Sequence, residues 1–473
     1  MTDQTPMRIG DQLVTTKTSS EVLSPFSGAV VGRVPVGTEE HIDRAIDAAL
    51  ACHRDGPPPA FERARVLDRA ADLLDERQEA FAQSISAESA KPIKTARVEA
   101  ARAVETFRFA AAVARTMAGE MVALDASSVG VGKIGFVQRM PIGVIAAISP
   151  FNFPLNLVAH KLAPAIAAGC PVVLKPASST PLTALKLANM LLDECGLPAG
   201  WLNVVTCNGA TADRMVTHDD IAMVTFTGSP AVGWAIRAAA PRKKVSLELG
   251  NNAPVVIEPD GDWSGAARKI AIAGFSFAGQ SCISVQRVYV HASIHDEFVA
   301  ALVAAVERLV TGDPTDDGTD VSALITPADT TRVLEWVQDA VAEGASVATG
   351  GNVVGGVLVP TVLIGVAPEM EVCRNEVFGP VVGVAAYVDF SEALRIANDS
   401  RYGLQASVFT SNIAKALEAT RTLEFGAVMV NEVPTWRADQ MPYGGLRDSG
   451  NTREGPKYSA IEMTEERLIV IQP

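Results

Sequence analysis

From residue 142 to residue 249 short apolar or β-branched runs alternate without a break with stretches of helix length. Residues 142–148 predict a strand, 155–168 a helix and 171–174 a strand. A further helix follows, with Ser179 or Thr180 as its cap, Pro181 in its first position and Gly196 beyond its end. Strands at 202–206, 223–226 and 245–249 enclose helices at 211–217 and 230–240. This rhythm belongs to βαβ units, so the fold class is α/β with a mostly parallel sheet.

A second series starts near Asn251. Strands are expected at 254–257, 285–290, 357–363, 381–387, 406–410 and 427–431, and helices at 266–277, 294–309, 330–343 and 391–397. Before the first series, residues 39–119 carry helical periodicity, and residues 1–40 suggest an extended arm. After the Gly-rich stretch 442–455, Leu468, Ile469, Val470 and Ile471 suggest an edge strand, which pairing with a second subunit would cover.

A chain of 473 residues exceeds one hydrophobic core, so two or three lobes are expected. With 48% hydrophobic and 20% charged residues it has the composition of a soluble globular protein. A net charge of −14 argues against nucleic acid or an anionic membrane as partner. The polar N-terminus has no signal-like apolar run, and no stretch reaches membrane-spanning length. The six cysteines are scattered without metal-ligand spacing, which fits a reducing cytoplasm, free thiols and no metal.

Several short motifs could carry chemistry. Cys282, in Gly279-Gln280-Ser281-Cys282, is placed between a helix and a strand; a buried inert thiol would look the same. Asn152 sits in the stiff turn Ser149-Pro150-Phe151-Asn152-Phe153-Pro154, where a fixed amide could serve an oxyanion or simply bond its own backbone. Lys175 follows a strand, where ligands of parallel sheets bind. Phe226-Thr227-Gly228-Ser229 ends a strand before a helix, which suits a pyrophosphate as well as an ordinary glycine turn. Glu248 is the one charge at an apolar strand end, either paired or held semi-buried as a general base. Glu376-Val377-Phe378-Gly379-Pro380 could meet a ribose and a flat ring.

In this order the motifs, with Gly444-Gly445 and Ser449-Gly450, resemble the aldehyde dehydrogenase superfamily from about residue 20 to the C-terminus. The resemblance implies a Rossmann-type cofactor domain (1–122 and 142–249), an α/β catalytic domain (250–455) and a small β oligomerisation arm (123–141 and 456–473). It implies Cys282 as nucleophile, Glu248 as base, and Asn152 with the Cys282 amide as oxyanion hole. Lys175, Ser178, Phe226, Gly228, Ser229, Leu249, Glu376 and Phe378 would hold NAD or NADP. A homodimer or homotetramer is the implied assembly.

Ser178 stands where many NAD-preferring relatives place a glutamate, so a 2′-phosphate meets no repulsion and NADP should be tolerated. Asn251 replaces a glycine after Glu248, and Phe151 a frequent tryptophan. The Gly-rich tail and the segment around Cys282 are similar to members acting on lactaldehyde and other short functionalised aldehydes. Ser281 replaces the arginine that relatives using phosphorylated aldehydes often carry. Arg108, Phe151, His160, Ser281, Trp436 and Arg437 are the candidate substrate contacts. Succinate-semialdehyde-type oxidation, or acyl transfer to coenzyme A, is the alternative reaction, and a non-catalytic binding protein on the same scaffold is disfavoured by the intact Cys282, Asn152 and Glu248.

Overall fold

The computed structural model describes residues 4–473. Its first seven-stranded sheet runs in the order Lys244–Glu248, Ile221–Thr227, Val144–Ile148, Val172–Lys175, Leu202–Val204, Met7–Ile9, Gln12–Val14. The first five are mutually parallel. Their side chains alternate between two cores. Ile145, Ala147, Val172 and Leu174 join one, whereas Val144, Ala146, Ile148 and Val173 join the other. Covering both faces explains why these strands read as unbroken apolar runs.

The chain order reverses beside Val144–Ile148, which has Val172–Lys175 on one side and Ile221–Thr227 on the other. Successive connections leave in opposite directions there, and a crevice opens at the carboxyl ends of the strands. The N-terminal segment does more than pack as an arm. Met7–Ile9 pairs antiparallel with Leu202–Val204 and extends the sheet, while Arg8 is tied to Asp193 at 2.7 Å.

The second sheet is ordered Ser346–Thr349, Thr361–Ile364, Val381–Tyr387, Val285–His291, Ala253–Ile257, Gln405–Phe409, Ala427–Val430. Only its first pair is antiparallel. The turn at 249–252 joins the last strand of one sheet to a central strand of the other, so what it carries lies between them. A third sheet pairs Thr464–Ile471 along its length with Ile134–Pro141, leaving the expected edge strand at one side.

Three expectations need correction. The helix after Lys175 is Leu182–Asp193, and neither Ser179 nor Thr180 caps it. The buried carboxylate of Glu88, from a distant helix, accepts from the Leu182 and Thr183 amides instead. The strand expected at 357–363 is broken by Pro360 into Val357–Leu358 and Thr361–Ile364, which belong to different sheets. A helix at Ile413–Thr422 was not anticipated, although Asn412 caps it by accepting from Ala414 and Lys415. Among the described residues no helix is long and apolar enough to cross a membrane.

Candidate active site

A cavity of about 530 Å³ lies where the strand ends Ile148, Lys175, Thr227 and Glu248 converge. Every residue read above as nucleophile, base, oxyanion donor or cofactor contact lines it, and Phe151 does too.

Cys282 reaches this cavity from the second sheet. Helix Trp263–Phe275 ends in a tight turn in which Phe277, Ala278 and Gly279 all take positive φ, at 50°, 53° and 70°. Two non-glycine residues in that region store strain, which surrounding packing must hold. Gly279 is obligatory, since a Cβ there would stand 2.1 Å from the Gly379 carbonyl oxygen. The half-buried Cys282 then places Sγ 2.8 Å from the Tyr443 hydroxyl. Burial pushes the thiol up to about 12, with the Tyr443 hydrogen bond working against that rise.

Asn152 is buried, and one N–H of its amide donates to the Gln280 carbonyl at 3.0 Å, tying the Asn152 turn to the Cys282 loop. The carbonyl of Asn152 accepts from the Lys91 ammonium at 2.6 Å. Lys91 is wholly buried, ion-paired with Glu99, and packed 3.8 Å from the Phe153 ring centroid and 4.5 Å from that of Phe277. Glu99 also accepts from the amides of Leu155 and Asn156. One buried ion pair therefore clamps both loops that carry the proposed chemistry.

Neither carboxylate oxygen of Glu248 has a protein partner, although the residue is only 5% exposed. Burial, reinforced by the nearby carboxylate of Glu454, raises its pKa well above the carboxylate range. Glu454 keeps its charge because His160, Arg437 and Lys161 outweigh the effect of its burial. Arg437 pairs with it at 2.7 Å. Gly444 leaves room for the Glu248 carboxylate, since a Cβ there would come 2.9 Å from Oε1.

On the opposite side, helix Pro230–Ala239 starts at Ser229 and points its N-terminus at the cavity. A Cβ on Gly233 would meet Leu249 at 2.4 Å, so glycine permits the close packing of helix on strand. The Lys175 ammonium has only the Pro176 carbonyl as a partner, at 3.2 Å. Ser178 donates to the Cys207 carbonyl at 3.2 Å. Glu376 accepts from the Asn251 amide at 2.9 Å and is pushed up to about 8 by burial. Phe378, with φ of 47°, meets the edge of Phe151 at a centroid separation of 5.9 Å.

The remaining candidates separate. Arg108 is half-exposed on the outer face of its helix, paired with Glu105 and Asp75, and is not in the cavity wall. His160 is fully buried, 2.9 Å from Asp439, and also stands behind the wall. Trp436 is half-exposed. Ser281 is partly exposed beside Cys282. Lys91, Glu99 and Asp439 had no local signal that sequence reading could use, and Tyr443 and Glu454 lay within the Gly-rich stretch 442–455 without being picked out as side chains of the site.

The aldehyde dehydrogenase family pattern matches residues 13–469, and the chain belongs to that family. It is 45% identical over 458 residues to a 3-sulfolactaldehyde dehydrogenase of Priestia aryabhattai, covering 97% of this chain and 96% of that protein. It is 38% identical to a lactaldehyde dehydrogenase of Methanococcus maripaludis, covering 87% and 88%. The crystal structure of an NADP-dependent glyceraldehyde-3-phosphate dehydrogenase from Bacillus halodurans, complexed with NADP, superposes with a TM-score of 0.96 at 36% identity, covering 99% of both chains. The protein is an NAD(P)-dependent aldehyde dehydrogenase.

Proposed function

We propose that this enzyme oxidises a short aldehyde bearing a hydroxyl or a further polar substituent, of the lactaldehyde type, to its carboxylic acid through a covalent intermediate on Cys282. The observation that carries the mechanism is the shared cavity, into which Cys282, Asn152 and Glu248 all face, with both Glu248 oxygens unpartnered. The similarity to sulfolactaldehyde and lactaldehyde dehydrogenases supports the substrate class.

A nicotinamide dinucleotide fits the residues present. Gly228, Ser229 and the start of helix Pro230–Ala239 suit a pyrophosphate, and Lys175, with a single carbonyl partner, suits the adenosine ribose. Glu376 and Phe378 suit the nicotinamide end. The neutral Ser178 supports acceptance of NADP as well as NAD.

Cys282 attacks the aldehyde carbon as thiolate, forming the C–S bond while the carbonyl π pair moves to oxygen. The free N–H of Asn152 and the Cys282 amide receive that oxygen. When bound, the nicotinamide supplies the hydride acceptor that converts the thiohemiacetal to a thioester. Glu248 then removes a proton from water, which attacks the thioester and releases the acid. Glu248's unpartnered oxygens favour hydrolysis over transfer to coenzyme A. The edge strand Thr464–Ile471 supports association into a dimer or tetramer.

Initial rates across a panel of short hydroxy-, sulfo- and carboxyaldehydes, with NAD and with NADP, test this reading. Stoichiometric acid and reduced cofactor without coenzyme A, lost in Cys282→Ala, are expected. A panel giving no reduced cofactor, or a Cys282→Ala enzyme that turns over, would overturn it.

A further inference from the structure

Tyr443 is 3% exposed and shares an apolar cluster with Ile283 and Leu404, against which Cys282 packs. Its hydroxyl lies 2.8 Å from Cys282 Sγ, and the residue that carries it is fixed through both backbone and ring. Its backbone exchanges hydrogen bonds with that of Glu454. The Glu454 carboxylate pairs with Arg437. The Arg437 guanidinium in turn lies 3.8 Å from the centroid of the Tyr443 ring. Tyrosine, glutamate and arginine thus close a loop that leaves the phenol little freedom to turn away from the sulfur.

Resting on the reading of Cys282 as nucleophile, we propose that Tyr443 is its positioning residue, donating its hydroxyl hydrogen to the thiolate, with Arg437 strengthening that donor from the ring face. A cation over an aromatic face draws on its electron density, which makes the phenol O–H a better donor. Four groups bear on the charge of the sulfur. Glu376 and Glu248 oppose the thiolate, whereas Arg437 and Tyr443 favour it. Without the hydroxyl, burial and two carboxyls face one guanidinium. The phenol keeps its proton throughout, and the thiol proton leaves to water in the cavity before attack. Once sulfur is bonded to carbon it is a poor acceptor, so the contact governs ionisation and placement of the free nucleophile rather than later steps.

The test is the pH profile of Cys282 alkylation by iodoacetamide, followed by mass spectrometry of the Cys282 peptide in the full chain without aldehyde. Sulfur–carbon bond formation releases iodide and requires neither turnover nor a known substrate. A failed aldehyde panel would therefore leave this readout intact. Tyr443→Phe keeps the ring and removes the donor. At about pH 8 its alkylation rate should fall about tenfold or more, and the profile should move to higher pH. Arg437→Lys keeps a cation and should move the midpoint the same way by less. Superimposed wild-type and Tyr443→Phe profiles, or midpoints that move down, would overturn the proposal, the latter by making the hydroxyl an acceptor from the thiol.

Discussion

Lys91→Met removes the cation that joins the Asn152 turn to the Cys282 loop while keeping an unbranched chain one atom shorter. The ammonium is wholly buried against Glu99, the Asn152 carbonyl and two aromatic rings. Breaking a buried ion pair costs about 3–5 kcal/mol, because the remaining charge is left uncompensated. Glu99 retains two backbone amide donors, which places the loss toward the lower part of that range. An unfolding entropy of about 2.1 cal/mol/K per residue gives about 1 kcal/mol/K for the whole chain. The melting temperature should therefore fall by about 3–4 °C if the chain melts as one unit. Because the Asn152 carbonyl loses its anchor, kcat should fall about tenfold or more, as small misplacements of oriented groups do. Cofactor affinity should hold, since Lys175, Ser229 and Glu376 are placed by other contacts. Adding Glu99→Gln should recover part of the stability, because no unpaired charge then remains. Differential scanning fluorimetry, steady-state kinetics and cofactor titration read the three quantities. A Lys91→Met enzyme with wild-type melting temperature and kcat would refute the clamp.

Glu248→Gln should still acylate, giving a rapid burst of about one reduced cofactor per subunit, followed by a steady rate about 10²–10⁴ lower. Stopped-flow absorbance at the reduced-cofactor band measures both phases, and a steady rate equal to wild type would remove Glu248 as base. The wild-type steady rate should rise with pH as the raised Glu248 carboxyl loses its proton, and Glu248→Gln should lose that limb. Glu376, at about 8 in the folded chain, holds a proton that the unfolded chain releases near 4.5. Its contribution to stability is therefore complete below the unfolded value and falls away as pH rises toward about 8. Urea midpoints measured at about pH 5.5 and about pH 8.5 should differ less in Glu376→Gln than in wild type; an unchanged difference would show that Glu376 is already ionised at low pH.

What the sequence made legible was local. Asn152, Lys175, Ser229 and Glu248 stand at or just beyond the carboxyl ends of strands that short unbroken apolar runs and flanking prolines and glycines mark out. Once the sheet is parallel, those ends must meet at one crevice. What it hid was long-range pairing of charges inside helices and tail. The Lys91 ammonium meets an oxygen 61 residues away, and Glu88 caps a helix 94 residues away. No windowed pattern contains both partners. Two of the four arginines of helix Ile93–Thr116, Arg102 and Arg108, show how narrow the margin is. Arg102 turns inward to Asp439 at 2.8 Å, while Arg108 turns outward to Glu105 and Asp75. Six residues separate them, about 240° around a helix of 3.6 residues per turn, so Arg108, the one named as a substrate candidate, is on the solvent face. His160 stands behind the cavity wall, and its partner was hidden for a related reason. It sits on the helix directly after the Asn152 turn, yet every residue of Asn156–Ala168 is buried, and a helix without a wet face gives periodicity nothing to report. In such a helix a polar side chain signals an internal partner. Here that partner is Asp439, also bonded to Arg102 and Asn156, so the segment that supplies Tyr443 and Arg437 is fastened to helices Ile93–Thr116 and Asn156–Ala168 by charges that only the folded chain brings together.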